Sequence, residues 1–212
     1  MSPTSVTITA VEDVGADTVA IELESPDGFV AKPGQFVLVR ATPADESITR
    51  HYTLSSPNVT DTFEITVGVD PDGDLAPWLA AREPGDEIAI DGPFGSIAYE
   101  GDEDVVAIAG GPGIGPAVAI AEAAVDADHR TEVIYRSDEP AHRDRLRELR
   151  DAGVPVTIVY EEDDHGFQSA INDAFDQGTI YAFGFDDFVR SVERAIDAAG
   201  GDPADARIEN FG

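Results

Sequence analysis

The alternation of hydrophobic and polar residues divides the chain into two parts. In the first part, residues 4–100, short runs alternate apolar and polar side chains, as in 19–23 (VAIEL) and 63–69 (FEITVGV). A period of two residues is typical of a strand with one buried face. Turn residues such as Pro33 and Gly34 separate these runs, and one short helix is predicted at residues 75–82. Many short strands with a single helix predict a Greek-key β-barrel.

From residue 104 onward, strands and helices alternate. Residues 105–109 (VVAIA) form a continuous apolar run, which is typical of a strand buried on both faces of a parallel sheet. Later strands are predicted at 131–135, 154–160, 179–183 and 207–209, and helices up to about residue 126 and at 140–152, 167–175 and 186–199. The predicted fold class is therefore β + α/β, a barrel followed by a doubly wound parallel sheet. The predicted domains are residues 1–100 and 101–212.

Residues 50–56 (RHYTLSS) are the first candidate ligand-binding motif, because they combine a cation, an aromatic ring and three hydroxyl groups. The guanidinium of Arg50 offers a forked donor for phosphate, and Tyr52 offers a face for a flat ring. Hydroxyl groups can bond ring nitrogens and oxygens. This combination suits a phosphorylated aromatic ligand. The alternative is an edge strand with an exposed arginine and a packed tyrosine.

A second motif, residues 110–116 (GGPGIGP), joins the first strand of the second part to its first helix. Glycines there let the backbone approach a pyrophosphate, and the start of the helix supplies free N–H groups. Pro116 suits the first turn of a helix but departs from the strict G-x-G-x-x-G pattern. The motif predicts nucleotide binding, and a plain tight turn is the alternative.

With these two motifs, the chain resembles the ferredoxin-NADP reductase family of flavoproteins. The family's flavin motif is Arg-x-Tyr-Ser/Thr-x-x-Ser, and its nucleotide loop is Gly-Gly-x-Gly-x-x-Pro. Matches follow in family order at residues 33–36 (PGQF), 85–86 (GD), 92–95 (GPFG) and 209–211 (ENF), and around Trp78. The resemblance covers nearly the whole chain and implies FAD and NAD(P)H as cofactors.

The resemblance also implies roles for individual residues. Arg50 is expected to hold the flavin pyrophosphate, Tyr52 to pack on the isoalloxazine ring, and Thr53 to bond near flavin N5. Glu209 and Phe211 are expected beside the flavin on the nicotinamide side, which makes Thr53, Glu209 and Phe211 the catalytic candidates. The other candidate cofactor-binding residues are His51, Ser56, Val67, Val69, Gly73, Gly110, Gly111, Gly113, Ile114, Gly115, Pro116, Arg136, Ser137 and Gly184.

Three positions depart from the family pattern. Ala76 stands where the family usually has Ser or Thr at the helix that caps the flavin phosphates. Phe183 stands where the family has a Cys beside the reacting carbon of nicotinamide. After the second strand of the α/β part, Arg136 and Ser137 suit a 2′-phosphate, whereas the acidic pair at 138–139 suits a free ribose hydroxyl. The cofactor is therefore written NAD(P)H.

The charge of the chain is extreme, with 43 acidic against 13 basic residues and a net charge of −30. Such a charge causes strong self-repulsion, which molar salt removes by shortening the Debye length to about 3 Å. We therefore expect a haloarchaeal protein of a salt-rich cytoplasm. A disordered acidic chain is the alternative, but regular apolar periodicity and ten Phe argue against it. Without a basic stripe, no nucleic-acid partner is expected.

The sequence lacks the residues that several other classes of functional site require. The sequence has no Cys, which excludes disulfides and cysteine-ligated zinc or iron–sulfur clusters. His51, His129, His142 and His165 lack metal-ligand spacing, so no metal site is expected. No G-x-S-x-G elbow indicates a hydrolase. We expect neither a signal peptide nor a membrane partner, since the N-terminus lacks a basic region followed by an apolar one and no charge-free apolar run approaches 18 residues.

The function predicted from these features is an FAD-dependent oxidoreductase. It takes a hydride from NAD(P)H and passes electrons to a carrier such as ferredoxin, which must be separate because the chain has no cluster ligands. One alternative, favoured by Ala76, is an NAD(P)H:flavin reductase with diffusible flavin. Another, favoured by Phe183, is a nucleotide-binding electron-transfer or sensor subunit with little turnover of its own.

Overall fold

The computed structural model describes residues 3–43 and 46–212. Its first six strands form one antiparallel sheet in the order β4-β3-β6-β1-β2-β5. Their bounds are β1 Thr4–Gly15, β2 Thr18–Glu24, β3 Phe36–Ala41, β4 Ile48–Thr53, β5 Thr62–Gly68 and β6 Glu87–Phe94, and helix α1 at Ala76–Ala80 lies between β5 and β6. Strand β6 returns between β3 and β1, so the sheet order differs from the chain order, as in Greek-key folds.

The two edge strands of this sheet meet and close it into a barrel. Leu54, directly after β4, forms an antiparallel bridge with Ile65 of β5. The Ser55 N–H donates to the Glu64 carbonyl at 2.7 Å. Leu54 and Ile65 are fully buried inside the barrel, whose core is formed by the inward-facing apolar residues of all six strands. The predicted barrel is thus confirmed.

The second sheet has five parallel strands in the order β11-β10-β7-β8-β9. Its elements are β7 Val105–Gly110, α2 Ile114–Asp126, β8 Thr131–Arg136, α3 Arg143–Asp151, β9 Val156–Val159, α4 Asp164–Ala174, β10 Thr179–Gly184, α5 Asp186–Ala199 and β11 Arg207–Asn210. Helices α2 and α3 cover one face, and α4 and α5 cover the other. This confirms the doubly wound sheet. The strand order reverses between β7 and β10, and ligands bind at such a switch point in open α/β sheets.

Element boundaries differ from the predicted ones for local reasons. Helix α3 begins at Arg143 and not at residue 140, because His142 has a φ of 51°, outside the right-handed helical region. Helix α4 begins at Asp164, before the predicted start at residue 167, because the Asp163 side chain accepts a hydrogen bond from the Gly166 N–H at 2.8 Å. Among the described helices, none combines the length and apolar character that crossing a membrane requires.

Candidate functional site

A cavity of about 310 Å³ lies where the barrel meets the α/β domain. The barrel contributes the end of β4, the end of β5 and the start of α1, and the α/β domain contributes the loop after β7 and the segments after β10 and β11. The lining residues are Arg50, His51, Tyr52, Thr53, Thr66, Gly68, Gly73, Asp74, Leu75, Ala76, Pro112, Pro116, Phe185 and Phe211. The fold therefore brings together seven of the sequence-predicted residues (Arg50, His51, Tyr52, Thr53, Gly73, Pro116 and Phe211).

Strand β4 presents the candidate flavin motif because it pairs along its length with β3 alone. Val39 pairs with Arg50 and Val37 with Tyr52, and the barrel closes only after Thr53, at Leu54. The open side of β4 consequently faces the cavity. Arg50 is exposed, and its Nη1 donates to the neighbouring Thr49 carbonyl at 3.0 Å. Burial raises the pKa of Tyr52 to about 12, against the opposing charge of Arg50, so its phenol is neutral at physiological pH.

Thr53, which lines the cavity, and Glu209, which does not, join the two domains through a hydrogen bond. The Thr53 hydroxyl donates to Glu209 Oε1 at 3.1 Å across 156 residues of sequence. The other carboxyl oxygen, Oε2, is buried without a hydrogen-bond partner. Burial raises the pKa of Glu209 to about 7, and the Thr53 hydrogen bond acts in the opposite direction. Glu209 is therefore able to hold or release a proton near neutral pH.

Replacing Glu209 with glutamine should change the pH dependence of the free energy of unfolding. The folded-state pKa of about 7 lies above the ordinary value of 4.5, so the wild type loses stability as the pH rises from 4.5 through 7. We expect Glu209→Gln to remove that loss, with a gain over wild type of about 3 kcal/mol above pH 7 and little gain near pH 4. Urea unfolding of both proteins across this range, at matched cofactor saturation, measures the difference. If the free energy of unfolding depended on pH in the same way in both proteins, the raised pKa of Glu209 would be contradicted.

Two phenylalanines from the α/β domain close the cavity on the side opposite β4. The Phe211 N–H donates to the Gly184 carbonyl at 2.9 Å, which fixes the segment after β11 beside the end of β10. The Phe211 ring packs edge-on against Phe185, with centroids 5.8 Å apart. Phe185 is 54% exposed and lines the cavity, whereas Phe183 is fully buried in the core. Phe183, which stands in place of the family's Cys, therefore does not line the cavity, whereas Phe185 does.

The glycine loop lies at the switch point of the second sheet. Strand β7 ends at Gly110, a 3₁₀ turn spans Gly111–Gly113, and α2 begins at Ile114. Gly111 has a φ of 55° and open space where a Cβ would lie. A Cβ on Gly113 would lie 2.0 Å from the Phe183 carbonyl oxygen, so only glycine fits there. The loop has the open backbone and the helix start that a pyrophosphate cradle requires.

Other predicted residues are placed away from the cavity lining. The Ser56 hydroxyl accepts from the Glu64 N–H at 2.7 Å, and the Val69 N–H donates to the Asp17 carbonyl at 2.7 Å. Val67 is fully buried in the barrel core. Ile114 is fully buried against the second sheet, and Gly115 lies against Thr66, whose hydroxyl would be 2.2 Å from an added Cβ.

Arg136 and Ser137 are also occupied by contacts within their own domain. Arg136 Nη2 bonds Asp164 Oδ1 at 2.6 Å, and its guanidinium lies over the Phe167 ring, 5.0 Å from the centroid. Ser137 is 6% exposed, and its N–H donates to the Val159 carbonyl. The structure therefore does not place either residue with the groups that line the cavity.

Sequence reasoning missed a hydrogen-bonded contact behind the cavity. His142 Nε2 and the Thr66 hydroxyl lie 2.8 Å apart, and the Thr66 hydroxyl lies 2.7 Å from that of Ser55. Burial, aided by the charge of Arg145, lowers the pKa of His142 to about 3, so the ring is neutral. Because Thr66 lines the cavity, this network connects α3 of the second domain to the cavity wall.

Arg145 of α3 is the main ionic link between the domains. Its guanidinium bonds Glu64 of β5 at 3.0 Å, the Ser55 carbonyl at 2.8 Å, and both carboxyl oxygens of Glu122 in α2 at 2.8 and 2.6 Å. Burial raises the pKa of Glu64 to about 7, although the Arg145 charge acts in the opposite direction. Helical periodicity gave no indication of these partners, because Glu64 is 81 residues away in sequence.

Comparison with known proteins identifies the first domain. Residues 5–99 match the family model described as an oxidoreductase FAD-binding domain. The FAD/NAD-binding domain of nitric oxide dioxygenase from Vibrio cholerae superimposes with a TM-score of 0.83 at 20% identity, covering 100% of both chains. The ferredoxin reductase in carbazole 1,9a-dioxygenase gives a TM-score of 0.82 at 23% identity, covering 100% of this chain and 68% of that one. These two likenesses show the fold.

Curated relatives are similar along most of the chain. The glycine betaine monooxygenase reductase subunit of Chromohalobacter salexigens is 28% identical over 89% of this chain, which spans 58% of that protein. The same-named subunit of Pseudomonas aeruginosa is 32% identical over 53% of this chain and 32% of its own length. A probable dihydroorotate dehydrogenase B (NAD(+)) electron transfer subunit from Methanocella arvoryzae is 26% identical over 94% of this chain and 76% of its own. The matched segments thus cover between 32% and 76% of these relatives' own lengths.

Proposed function

We propose that the chain is a member of the ferredoxin-NADP reductase-like family of FAD/NAD(P)-binding oxidoreductases, and that it passes a hydride from NAD(P)H to FAD and electrons onward to a separate protein. The observation that carries this proposal is the cavity between the domains. It sets Arg50, Tyr52 and Thr53 of the barrel opposite Phe185 and Phe211 of the α/β domain.

The residues around the cavity fit an FAD molecule. Arg50 has free donors at the cavity for a pyrophosphate, and Tyr52 offers a half-buried aromatic face. Glu209 Oε2 is buried without a hydrogen-bond partner, next to Thr53 of the cavity wall. A bound flavin supplies the hydride acceptor, and the chain's own residues bind and orient both reactants and exclude water.

Arg50→Gln tests the proposed pyrophosphate contact. Charge-assisted hydrogen bonds exceed neutral ones in strength, so we expect the dissociation constant for FAD to rise roughly 10- to 100-fold. Equilibrium titration of the flavin-free protein by fluorescence measures it. The matched control is Arg194→Gln, which makes the same charge change at an exposed position of α5 and should leave FAD affinity unaltered. Equal effects of the two variants would show that only the overall charge matters.

Ferredoxin or an oxygenase component is the proposed electron acceptor. The 212 residues contain no cysteine, and the named relatives include reductase subunits of a monooxygenase and an electron transfer subunit. We also propose that the boundary between the two domains lies between residues 100 and 101. We further propose that the protein works in the salt-rich cytoplasm of a haloarchaeon. The net charge of −30 supports that setting.

Two other functions each have one supporting observation. A flavin reductase with diffusible flavin is favoured by α1, which begins at the cavity with Ala76 and has no side chain capping its first turn. An electron-transfer subunit with little turnover of its own is favoured by the Methanocella arvoryzae relative, whose name describes it as an electron transfer subunit. Phe183, the residue on which the sequence based this second alternative, lies in the core and does not line the cavity.

The visible absorption spectrum of the protein, purified in molar salt, separates the three functions. We expect bound flavin that bleaches when NADH or NADPH is added anaerobically. Bound flavin that stays oxidised with both nucleotides would favour the subunit without turnover. Flavin that is lost on dilution but is reduced when supplied in excess would favour the flavin reductase.

A further inference from the structure

We propose that Arg207 and Glu103 form a positioning pair that fixes strand β11 against the barrel and thereby places Glu209 and Phe211 for hydride transfer at the cavity. Arg207 and Glu103 do not line the cavity themselves, so the pair acts through the strand and not by touching a ligand. This inference rests on the proposed function, because it concerns the geometry of the same site.

Strand β11 and the residue after it present three side chains to the barrel. Successive residues of a strand alternate between its two faces, so positions 207, 209 and 211 share one face. Tyr181 of β10 lies directly opposite Arg207 and belongs to the buried cluster against which Phe211 packs. Ile208 packs in the cluster on the opposite face. Positions 207 and 209 are only about 7 Å apart along the strand, so a shift at the first carries over to the second.

Glu103 is held by three side chains of the second sheet. Its Oε1 accepts from the Tyr181 hydroxyl at 2.7 Å and lies 2.6 Å from Arg207 Nη1, and its Oε2 accepts from the Thr179 hydroxyl at 2.7 Å. The Arg207 guanidinium also lies over the Tyr181 ring, 4.9 Å from the centroid. Burial opposes ionisation of Glu103, but these hydrogen bonds and the charge of Arg207 outweigh it and lower the pKa, so the carboxylate is charged at neutral pH.

The segment that joins the two domains connects this pair to the barrel. Glu103 belongs to that segment, which runs from the end of β6 to the start of β7. Arg207 Nη1 donates to the Ala98 carbonyl of the same segment at 3.3 Å. The Tyr99 N–H donates to the Pro33 carbonyl of the barrel at 2.9 Å. Arg207 therefore ties β11 to the barrel just before the point at which this strand bonds the cavity wall.

Strand β11 depends on such an anchor because it is an edge strand that pairs with β10 alone. Without the Arg207 contacts, the Thr53–Glu209 hydrogen bond has to hold the strand against the barrel at this end of the sheet. A displacement of about 1 Å at a reacting site costs roughly 100-fold in rate. The affinity for FAD depends on Arg50 and Tyr52 of β4, which this anchor does not contact. The pair should therefore affect the rate of hydride transfer more than the affinity for FAD.

Arg207→Met tests the proposal, and Arg194→Met, at an exposed position of α5, is the matched control. At a saturating nicotinamide nucleotide, we expect the rate constant of flavin bleaching to fall roughly 10-fold in Arg207→Met, with the dissociation constant for FAD within about twofold of wild type. Arg207→Lys keeps a charge beside Glu103 and should recover most of the lost rate. Ile171→Val, in the buried core under α4, should lose stability without losing rate. A wild-type rate in Arg207→Met, an equal fall in either control, or no recovery in Arg207→Lys would overturn the proposal.

Fluorine NMR of the flavin-loaded protein, labelled with 4-fluorophenylalanine, tests the positioning without a redox step. The Phe211 resonance, identified by its loss in Phe211→Leu, should shift or broaden in Arg207→Met and keep its wild-type position in Arg194→Met. An unchanged Phe211 resonance in Arg207→Met would overturn the proposal. If neither NADH nor NADPH reduces the wild-type flavin but the Phe211 resonance moves, the proposed function fails and the positioning role of Arg207 stands.

Discussion

Replacing Arg145 with methionine is expected to lower the free energy of unfolding by about 3 kcal/mol, because it leaves two partly buried carboxylates without their shared partner. Those carboxylates, Glu64 and Glu122, lie on different domains. The change therefore also removes the ion pair between Arg145 and Glu64 that links the two domains. Urea unfolding measures the loss. We expect weaker FAD retention as well, since Arg145 holds the Ser55 carbonyl next to the network that reaches Thr66 at the cavity.

Arg147→Met is the matched control for this variant. Arg147 lies in the same helix, is 64% exposed and pairs with Asp144 across one turn, so its removal should cost less than about 1 kcal/mol. Adding Glu64→Gln and Glu122→Gln to Arg145→Met should recover part of the lost stability, because it removes the unpaired charges. Equal losses in Arg145→Met and Arg147→Met would contradict the assigned role of Arg145.

The second large effect is expected at Gly113. A Cβ in Gly113→Ala would lie 2.0 Å from the backbone oxygen of Phe183, and backbone cannot move aside as a flexible side chain can. We expect a loss of about 2–3 kcal/mol in unfolding free energy. Because the clash pushes the glycine loop away from β10, nicotinamide nucleotide binding should weaken too. Denaturant unfolding and nucleotide titration measure the two effects.

Gly111→Ala provides the comparison within the same loop. Its Cβ meets open space, so its cost is limited to the strain of a φ of 55°, about 1 kcal/mol. Similar losses for Gly111→Ala and Gly113→Ala would show that backbone strain, and not the contact with β10, determines the glycine requirement of this loop.

The fold was largely predictable from local patterns. Period-two alternation indicated the barrel strands, and the continuous apolar run at 105–109 indicated the central strand of the parallel sheet. The first residues of α3 and α4 could not be predicted from hydrophobic periodicity. They depend on the positive φ of His142 and on the capping side chain of Asp163, which hydrophobic periodicity does not report.

The cavity was predictable in its motifs but not in its contacts. Residues 50–53 and the glycine loop could be recognised because the groups that would bind flavin and pyrophosphate each lie within a few consecutive residues. The Thr53–Glu209 hydrogen bond and the Arg145–Glu64 ion pair join residues 156 and 81 positions apart, and they depend on how the domains pack. Phe185 was missed because strand β10 points Phe183 into the core, so the next aromatic residue reaches the cavity.

The central claim is that a nicotinamide nucleotide delivers hydride to a flavin held in the cavity between the two domains. Single-turnover stopped-flow measurement of flavin bleaching under anaerobic conditions tests it most directly, using NADH and its two C4-deuterated diastereomers. We predict that NADH bleaches the flavin and that one diastereomer alone slows the reaction, because the cavity presents one face of nicotinamide to the flavin. Flavin that stays bound and oxidised with both NADH and NADPH would contradict the account.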